Sequence, residues 1–251
     1  MSFEVHDLDA KSVELKSAIL LYGGTTAYST LRYATLHPVE SAGPEAPPVI
    51  RAGRPLDSRT LQSVCADLMD SARVRSGVLP ANVLSVGLEH VVWWSPPGRR
   101  TYFFNTSVAD DGRVHVGQRS GMALTPGLVF VAKRQQMMVF AVKGDERPDA
   151  STPLCHAPLM NVYESGKVCT GSMPLPDSTV AASIAKWEEA FWNSNFTHPN
   201  HTKPVNYKGG LHAFSLALLD DRFRTFPQRV LRRIKGLTLG ALVDQLDSLR
   251  D

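Results

Sequence analysis

The segment from residue 83 to 142 limits the fold of this chain more than any other part of the sequence. It contains short runs rich in Val, Phe, Tyr and Trp, and turn-forming sequences such as SPPGRR and ADDG stand between them. β-Branched and aromatic residues favour extended backbone, and short turns let successive strands pair with each other. We therefore predict a four-stranded antiparallel meander from the runs 83–94, 101–106, 128–133 and 137–143, with 120–127 as a connection and 113–117 as an alternative strand.

An amphipathic helix is predicted shortly before these strands. Apolar residues recur there at the three- and four-residue spacing of one helix face, at Leu61, Val64, Cys65, Leu68, Met69 and Ala72. Asp57 or Ser58 is available as the N-terminal cap. Because Cys65 lies on the apolar face, we expect its side chain to belong to the core.

The N-terminal residues predict a strand or a hairpin. Apolar and β-rich runs at 18–22 and 27–36 flank the turn signal Gly23-Gly24. A loop rich in Pro follows at 38–48, and we interpret it as a boundary. We expect an N-terminal β extension at residues 1–48, a core at 49–220 and a basic helical extension at 221–251.

Residues 144–177 have no sustained hydrophobic period and contain many Pro and Gly residues, which predicts a long loop. Long loops in compact proteins often carry function, so we expect a site here. After this loop, Val180, Ile184, Trp187 and Phe191 share one face of a predicted helix that ends near Ser194. Further helical patterns occupy residues 211–220, 228–234 and 237–249.

The composition excludes several classes of protein. The chain is 43% hydrophobic and 20% charged, as in ordinary globular proteins, and its net charge of +3 does not by itself indicate a nucleic-acid partner. The longest apolar runs fall far short of the roughly 18 residues that raise a membrane span. The N-terminus has early acidic residues and no long apolar segment, which is unlike a secretory signal. We therefore expect a cytoplasmic protein with no membrane partner.

The loop sequence HAPLMNVYESGKVCTGSMP at residues 156–174 is the candidate site. Asn161 stands eight residues before Cys169, and Gly166 lies between them. Acyl transfer through a thiol needs an exposed Cys and a neutral donor for the oxyanion, and one amide donor is worth roughly 3 kcal/mol in a transition state. We therefore predict Cys169 as the nucleophile and Asn161 as the donor. Asp177 is the acidic residue nearby that can help an incoming lysine, and Thr170 directly follows the Cys.

This motif resembles that of the ubiquitin-conjugating enzymes. In that family a His-Pro-Asn tripeptide places its Asn eight residues before the catalytic Cys, with a Gly between them and an aliphatic residue directly before the Cys. Asn161, Gly166, Val168 and Cys169 match these positions, whereas Leu159-Met160 replace the His-Pro pair and Thr170-Gly171 replace the usual Leu-Asp. The resemblance implies an α+β ubiquitin-conjugating-like fold: a helix, a four-stranded antiparallel meander, an active-site loop and C-terminal helices, preceded here by the β extension.

More narrowly, the chain resembles the protein B family of the PRTRC system, a set of genes on bacterial mobile elements. The resemblance rests on LYGG, on WW followed by PP, on NVYESGKVC and on FTHP. It implies a conjugation pathway whose partners are a ubiquitin-like protein, a ThiF-like adenylating enzyme and a JAB-type peptidase. It implies no cofactor and no metal in this chain, because the adenylating partner uses the ATP.

Several other features have alternative interpretations. Three cysteines are too few for a disulfide framework, and Cys155 either packs in the core or lies near Cys169. His198, His201 and His212 are interpreted as surface residues rather than as zinc ligands, because no Cys pair or carboxylate stands at ligand spacing. Of the adjacent Trp93 and Trp94, we expect one ring in the core and the other under a neighbouring element, since neighbours on a strand face opposite ways.

The stretch from 222 to 235 concentrates positive charge without an acidic residue, in Arg222, Arg224, Arg229, Arg232, Arg233 and Lys235. A solvated helix face, or contact with phosphates or with an acidic partner, would explain it. The second functional hypothesis is therefore a non-catalytic adaptor with the same fold that contacts nucleic acid through this stretch. A third hypothesis, a Cys-dependent hydrolase, requires an imidazole within hydrogen-bond reach of Cys169.

Overall fold

The structure is a computed structural model that describes residues 15–23, 31–40, 47–71, 78–87, 89–108, 112 and 114–248. The chain divides into two units, residues 1–77 and 78–251. The functional domains expected at 1–48, 49–220 and 221–251 stay a prediction. Ala72 of the predicted helix face and Arg113 of the alternative strand lie outside the described residues.

The first unit begins with an antiparallel hairpin, which confirms the predicted hairpin in the described residues. Tyr22 on one strand lies opposite Tyr33 on the other. Two short strands also pair with the second strand. The elements of this unit are β1 (Ser17–Gly23), β2 (Leu31–Glu40), β3 (Val49–Ile50), β4 (Arg54–Pro55) and helix α1 (Ser58–Ser71). Strand β2 therefore occupies the first residues of the loop predicted at 38–48.

Helix α1 confirms the predicted helix and its cap. The Asp57 carboxylate accepts a 2.7 Å hydrogen bond from the backbone N–H of Thr60, which is the contact of an N-terminal cap. The prediction that Cys65 is a core residue is wrong, because Cys65 is exposed. Strands β1, β3 and β4 of this unit are themselves largely exposed.

The second unit contains a six-stranded antiparallel sheet. Its strands are β5 (Val83–Val86), β6 (His90–Ser95), β9 (Gly127–Lys133), β10 (Gln136–Val142), β11 (Pro153–His156) and β13 (Arg233–Thr238). Their order across the sheet is β13-β11-β10-β9-β6-β5. The run predicted as one strand at 83–94 is thus two strands, and the loop predicted at 144–177 contains β11. The predicted strands at 128–133 and 137–143 are confirmed as β9 and β10.

The predicted four-stranded meander is wrong, because β6 pairs directly with β9 and the strand predicted at 101–106 belongs to a long hairpin inserted between them. This hairpin consists of β7 (Gly98–Asn105) and β8 (Gln118–Thr125), and the two-residue strand β12 (Asn195–Phe196) pairs in parallel with β7. Prolines 96, 97 and 126 separate this hairpin from the main sheet, where the missing N–H groups interrupt the ladder. The connection predicted at 120–127 is therefore largely strand β8, and residues 114–117 of the alternative strand are irregular.

The helices of the second unit follow the sheet in the sequence. They are α2 (Ile184–Trp192), α3 (Gly210–Leu219) and α4 (Leu239–Ser248), with 3₁₀ turns at Ala181–Ser183 and Gln228–Val230. Residues 228–234 were predicted as helical. Instead, 228–230 form the second of these 3₁₀ turns, and 233 and 234 are the first residues of β13. Pairing of β13 with the edge of β11 outweighs the weak local helical pattern. None of the helices in the described part of the chain is long and apolar enough to cross a membrane.

The main sheet separates two cores. On one side Phe130 packs with side chains of α2 and α3, and on the other Val129 and Phe140 pack with Leu242 of α4. Ile184, Trp187 and Phe191 of α2 are buried as predicted, whereas Val180 is 56% exposed because the helix begins after it.

The two adjacent tryptophans confirm the predicted alternation. Trp93 belongs to the core on the α2 side and donates from Nε1 to the Glu188 carboxylate, whereas Trp94 packs against the core on the α4 side. The α+β class is confirmed for the described residues, since helices cover an antiparallel sheet.

Candidate active site

The loop that contains Cys169 is attached to the free part of the β10 edge. Met138 of β10 and Lys167 of the loop form an antiparallel bridge. Two backbone hydrogen bonds of 2.8 Å flank it: Val139 donates to the Gly166 carbonyl and Val168 donates to the Met137 carbonyl. Residues 166–168 of the loop therefore pair with β10 as a short added strand, and the sheet fixes the position of this part of the loop.

A tight turn precedes this added strand, and Gly166 is required in it. Gly166 has a φ of +84°, and its N–H donates to the Tyr163 carbonyl at 2.9 Å. A Cβ at this position would overlap the ring of Phe140, so both the backbone conformation and the space exclude a side chain. The turn brings the two halves of the motif side by side.

The motif is a small hairpin whose two arms are held together by backbone pairing. Val162 and Val168 form a bridge and are both buried. The Cys169 N–H donates to the Asn161 carbonyl at 2.7 Å, and the Tyr163 N–H donates to the Lys167 carbonyl at 2.9 Å. Since Val168 enters the core, its neighbour Cys169 is exposed.

Cys169 lies in a groove of about 870 Å³. Residues that follow the Cys form one wall, helix α2 contributes Lys186, Glu189 and Ala190, and residues 193–195, 197 and 198 form another part of the lining together with Asn105 and Asn161. Trp187 and Phe191 of α2 belong to the core and do not line the groove. The thiol is thus accessible from solvent through this groove.

The Asn161 side chain lies at this groove, but its polar atoms are already hydrogen-bonded. Nδ2 donates to the Asn195 carbonyl at 2.7 Å, while Oδ1 accepts from the Thr197 N–H, the Thr197 hydroxyl and the His198 N–H. Asn161 is 5% exposed and has a φ of +61°. The structure therefore shows Asn161 as an anchor for the segment 195–198, with one amide hydrogen left beyond these bonds.

Tyr163 is a site residue that the sequence reasoning missed. A hydrogen bond between its hydroxyl and the Cys169 thiol raises the pKa of Tyr163, and the charge of the Cys169 sulfur adds to this effect. The alternation of residues in the motif could have indicated Tyr163. Tyr163 and Cys169 stand one residue beyond the bridged pair of valines on their arms, so both project away from the core.

The two remaining predicted site residues, Thr170 and Asp177, differ in their position relative to the groove. Thr170 lines the groove, and its carbonyl accepts from the Met173 N–H at 2.8 Å. Asp177 is exposed and accepts a 3.0 Å hydrogen bond from the Gln135 side chain, in the turn between β9 and β10. Asp177 does not line the groove, whereas Glu189 does. Glu189 is thus the better placed carboxylate, which the helix pattern alone did not indicate.

The other cysteine of this unit is a core residue. Cys155 is buried in β11 and has a free thiol, and burial raises its pKa. The sequence left open whether Cys155 packs in the core or lies near Cys169. The structure shows that Cys155 packs in the core.

The three histidines considered as zinc ligands do not come together. His198 lines the groove, and its Nδ1 is 2.7 Å from the Thr197 hydroxyl. His212 accepts from the Val116 N–H. The ring of His201 lies against His156, with centroids 4.5 Å apart.

The basic stretch at 222–235 is not a helix face, so that interpretation is wrong. It consists of a turn, a short 3₁₀ helix and the first residues of β13. Arg222 pairs with the Asp220 carboxylate at 3.3 Å, and Arg232 donates to the Lys203 carbonyl. Contact of this stretch with phosphates or an acidic partner stays a prediction.

Comparison with protein families gives one match that covers most of the chain. A family model described as prokaryotic E2 family D matches residues 60–234, from α1 to β13. The matched region includes the hairpin with Asn161 and Cys169 and the groove beside it. Neither the curated proteins nor the solved structures contain a significant match to this chain.

Proposed function

The chain belongs to prokaryotic E2 family D, and from this premise we propose that it carries a ubiquitin-like protein as a thioester on Cys169 and transfers it to an acceptor. The observation that carries the proposal is the position of Cys169, an exposed thiol held by backbone pairing at the edge of a groove of about 870 Å³. A residue buried for packing alone would not be presented in this way.

The proposed reaction has two acyl-transfer steps. In the first, the Cys169 sulfur attacks the activated C-terminal carbonyl carbon of the ubiquitin-like protein, and the new C–S bond forms as the bond to the leaving group on the activating enzyme breaks. In the second, an acceptor amine attacks the same carbon. The C–N bond forms, Cys169 leaves as a thiolate, and the amine gives up a proton to a base.

The groove offers groups for each part of this reaction. We assign the groove beside Cys169 to the C-terminal tail of the ubiquitin-like protein, because polar residues of the segment 195–198 line it and can hydrogen-bond an extended backbone. We assign the remaining amide hydrogen of Asn161 and the hydroxyl of Tyr163 to the oxyanion and the sulfur, respectively. We assign Glu189 as the acceptor of the amine proton, in place of Asp177.

The narrower PRTRC protein B assignment belongs to this proposal as well. In that pathway the partners are a ubiquitin-like protein, a ThiF-like adenylating enzyme that uses the ATP, and a JAB-type peptidase. The reaction then takes place in the bacterial cytoplasm, and this chain needs no cofactor of its own for the transfer.

One observation favours the alternative of a non-catalytic adaptor with the same fold. The Asn161 amide, predicted as the oxyanion donor, already bonds Asn195, Thr197 and His198. The hydrolase hypothesis has less support. His198 lines the groove, but its Nδ1 faces the Thr197 hydroxyl rather than the thiol.

A charging assay tests the proposal. The protein is mixed with the ubiquitin-like protein and the adenylating enzyme proposed as its partners and with ATP, then separated on a gel with and without thiol reductant. We expect a reductant-sensitive adduct that is lost in Cys169→Ala and retained in Cys65→Ala, because Cys65 is also exposed but lies in the first unit. Absence of any adduct, with the adenylating enzyme shown to be active, would favour the adaptor.

A further inference from the structure

We propose that His156, Glu164 and His201 form a binding site for one zinc ion, next to the hairpin that carries Cys169. One ligand atom from each of the three side chains lies within 4.8 Å of the other two. His201 Nε2 is 3.7 Å from Glu164 Oε1, and the two imidazole rings are 4.5 Å apart between centroids. Two imidazoles and one carboxylate therefore converge on one point.

The backbone fixes the three ligands independently. His156 is the last residue of β11, and its N–H donates to the Arg232 carbonyl at 2.9 Å. Glu164 lies in the turn that Gly166 closes onto Tyr163. His201 follows the segment that the Asn161 side chain anchors. Little rearrangement of the main chain is needed, so the cost of assembling the site is small.

The burial and hydrogen bonding of the His201 ring favour its assignment as a metal ligand. Its exposed fraction is 7%, and its Nδ1 is buried without a hydrogen-bond partner among the described residues. Its Nε2 is 3.7 Å from Glu164, which is longer than a hydrogen bond. Buried polar atoms are nearly always satisfied, and a bound cation would give one of the two His201 nitrogens a partner.

The donor set favours zinc among the divalent cations. Imidazole nitrogen binds zinc and its transition-metal neighbours, whereas calcium and magnesium prefer sites built from oxygen alone. Tetrahedral zinc with bonds of about 2.0–2.1 Å needs ligand atoms roughly 3.3 Å apart. The three ligand atoms lie within 4.8 Å of one another, so the proposal needs only small side-chain rotations, above all of the exposed Glu164, and a water molecule would take the fourth position.

Zinc at this place would tie together three segments around the thiol. They are the end of β11, the turn at 163–166 and the segment that follows His198, and the last two continue in the chain from Asn161 and His198, which line the groove of Cys169. A bound metal adds its binding free energy to folding. We infer that the ion stiffens the hairpin that presents Cys169, while the thiol itself stays out of the coordination sphere.

The test uses the full chain and zinc alone. Protein freed of metal by a chelator is titrated with ZnCl₂ by calorimetry, and its melting temperature is measured with and without zinc. We expect one ion per chain and a rise in Tm. Glu164→Gln and His156→Asn should weaken binding by more than the roughly 10–100-fold that loss of an outer-shell partner causes.

Two matched variants separate this site from other binders. His198→Asn removes an exposed imidazole three residues from His201 and should leave the affinity unchanged. Cys169→Ala should also bind zinc normally, since the thiol is not a ligand. Because Glu164 is exposed and Gln is isosteric, that variant stays informative even if a change of the buried His201 prevents folding.

The proposal fails if wild-type protein takes up no zinc, or if Glu164→Gln binds as tightly as wild type. It also fails if His198→Asn or Cys169→Ala loses binding as strongly as His156→Asn, because the ion would then sit in the groove. These outcomes do not depend on the charging assay, so zinc binding and thioester formation succeed or fail separately.

Discussion

The backbone N–H of Cys169 donates a 2.7 Å hydrogen bond to the carbonyl of Asn161, eight residues earlier in the chain. This bond makes the two residues direct neighbours across a hairpin. It explains why their spacing matters, since one residue more or fewer in the turn would place Cys169 on the core side. The Asn161 side chain then extends the same arrangement to the segment 195–198.

Replacement of Asn161 should destabilise the protein through this anchor. Asn161→Ala removes four hydrogen bonds of a buried side chain, and we expect a loss of about 2–4 kcal/mol in the free energy of unfolding. Asn161→Gly should lose about 1 kcal/mol less, because Gly accepts the positive φ without strain. Urea unfolding measures both. Wild-type stability in Asn161→Ala would contradict the anchoring role.

Replacement of Gly166 should be more harmful than the same change at another glycine with positive φ. Gly166→Ala adds backbone strain and overlap with Phe140, so we expect a loss of about 2–5 kcal/mol. Gly144 has a similar φ of +89° but open space around it, so Gly144→Ala should lose only about 1–2 kcal/mol. Thermal unfolding measures both losses. Equal losses would mean that the Phe140 ring moves aside without a measurable cost in stability.

Removal of the Tyr163 hydroxyl should lower the reactivity of Cys169. The Tyr163 hydroxyl adjoins the Cys169 sulfur and can donate to the thiolate, which is the form that reacts, so its loss should slow alkylation by iodoacetamide at pH 7 by about threefold to tenfold. The measurement is made in a Cys65→Ala background, where Cys155 is buried and Cys169 is the accessible thiol. An unchanged rate in Tyr163→Phe would show that this hydrogen bond does not influence the thiol.

Asp220 should stabilise the protein in a pH-dependent way. Its hydrogen bond from Arg119, 2.7 Å long, lowers the pKa of the Asp220 carboxyl in the folded state. A lowered folded-state pKa contributes stability above the unfolded value of about 3.9, and this stability is lost as the pH falls through the folded value. Asp220→Asn should therefore lower Tm at pH 7, and the difference from wild type should shrink below pH 4.

The Asp220 prediction has an internal control. Arg119→Gln should give a smaller loss at pH 7 than Asp220→Asn, because Arg222 still pairs with the Asp220 carboxylate, and the double variant should lose little more than Asp220→Asn alone. Additive losses, or a difference from wild type that persists at low pH, would show that the ion pair between Asp220 and Arg119 does not cause the difference in Tm.

Local patterns in the sequence determined the α+β class, the strands β9 and β10, the buried face of α2 and the opposite orientations of Trp93 and Trp94. They also led to the matched family motif around Cys169. These features depend on residues within one or two turns of each other, and burial on one side of a helix or strand imposes a period that can be read directly. The prediction for Cys65 failed because such a period shows an apolar face but not what covers it.

Only the tertiary structure decided the features that join distant parts of the chain. Residues 233–238 became a strand because β11 offered an unpaired edge, and the Asn161 amide became an anchor because the segment 195–198 lies across it. The same holds for the convergence of His156, Glu164 and His201, which are separated in sequence by 8 and 37 residues. A single sequence records the donors and acceptors that each residue carries, but hydrogen bonds and metal ligands are satisfied in space, by whichever partner the fold brings within about 3 Å.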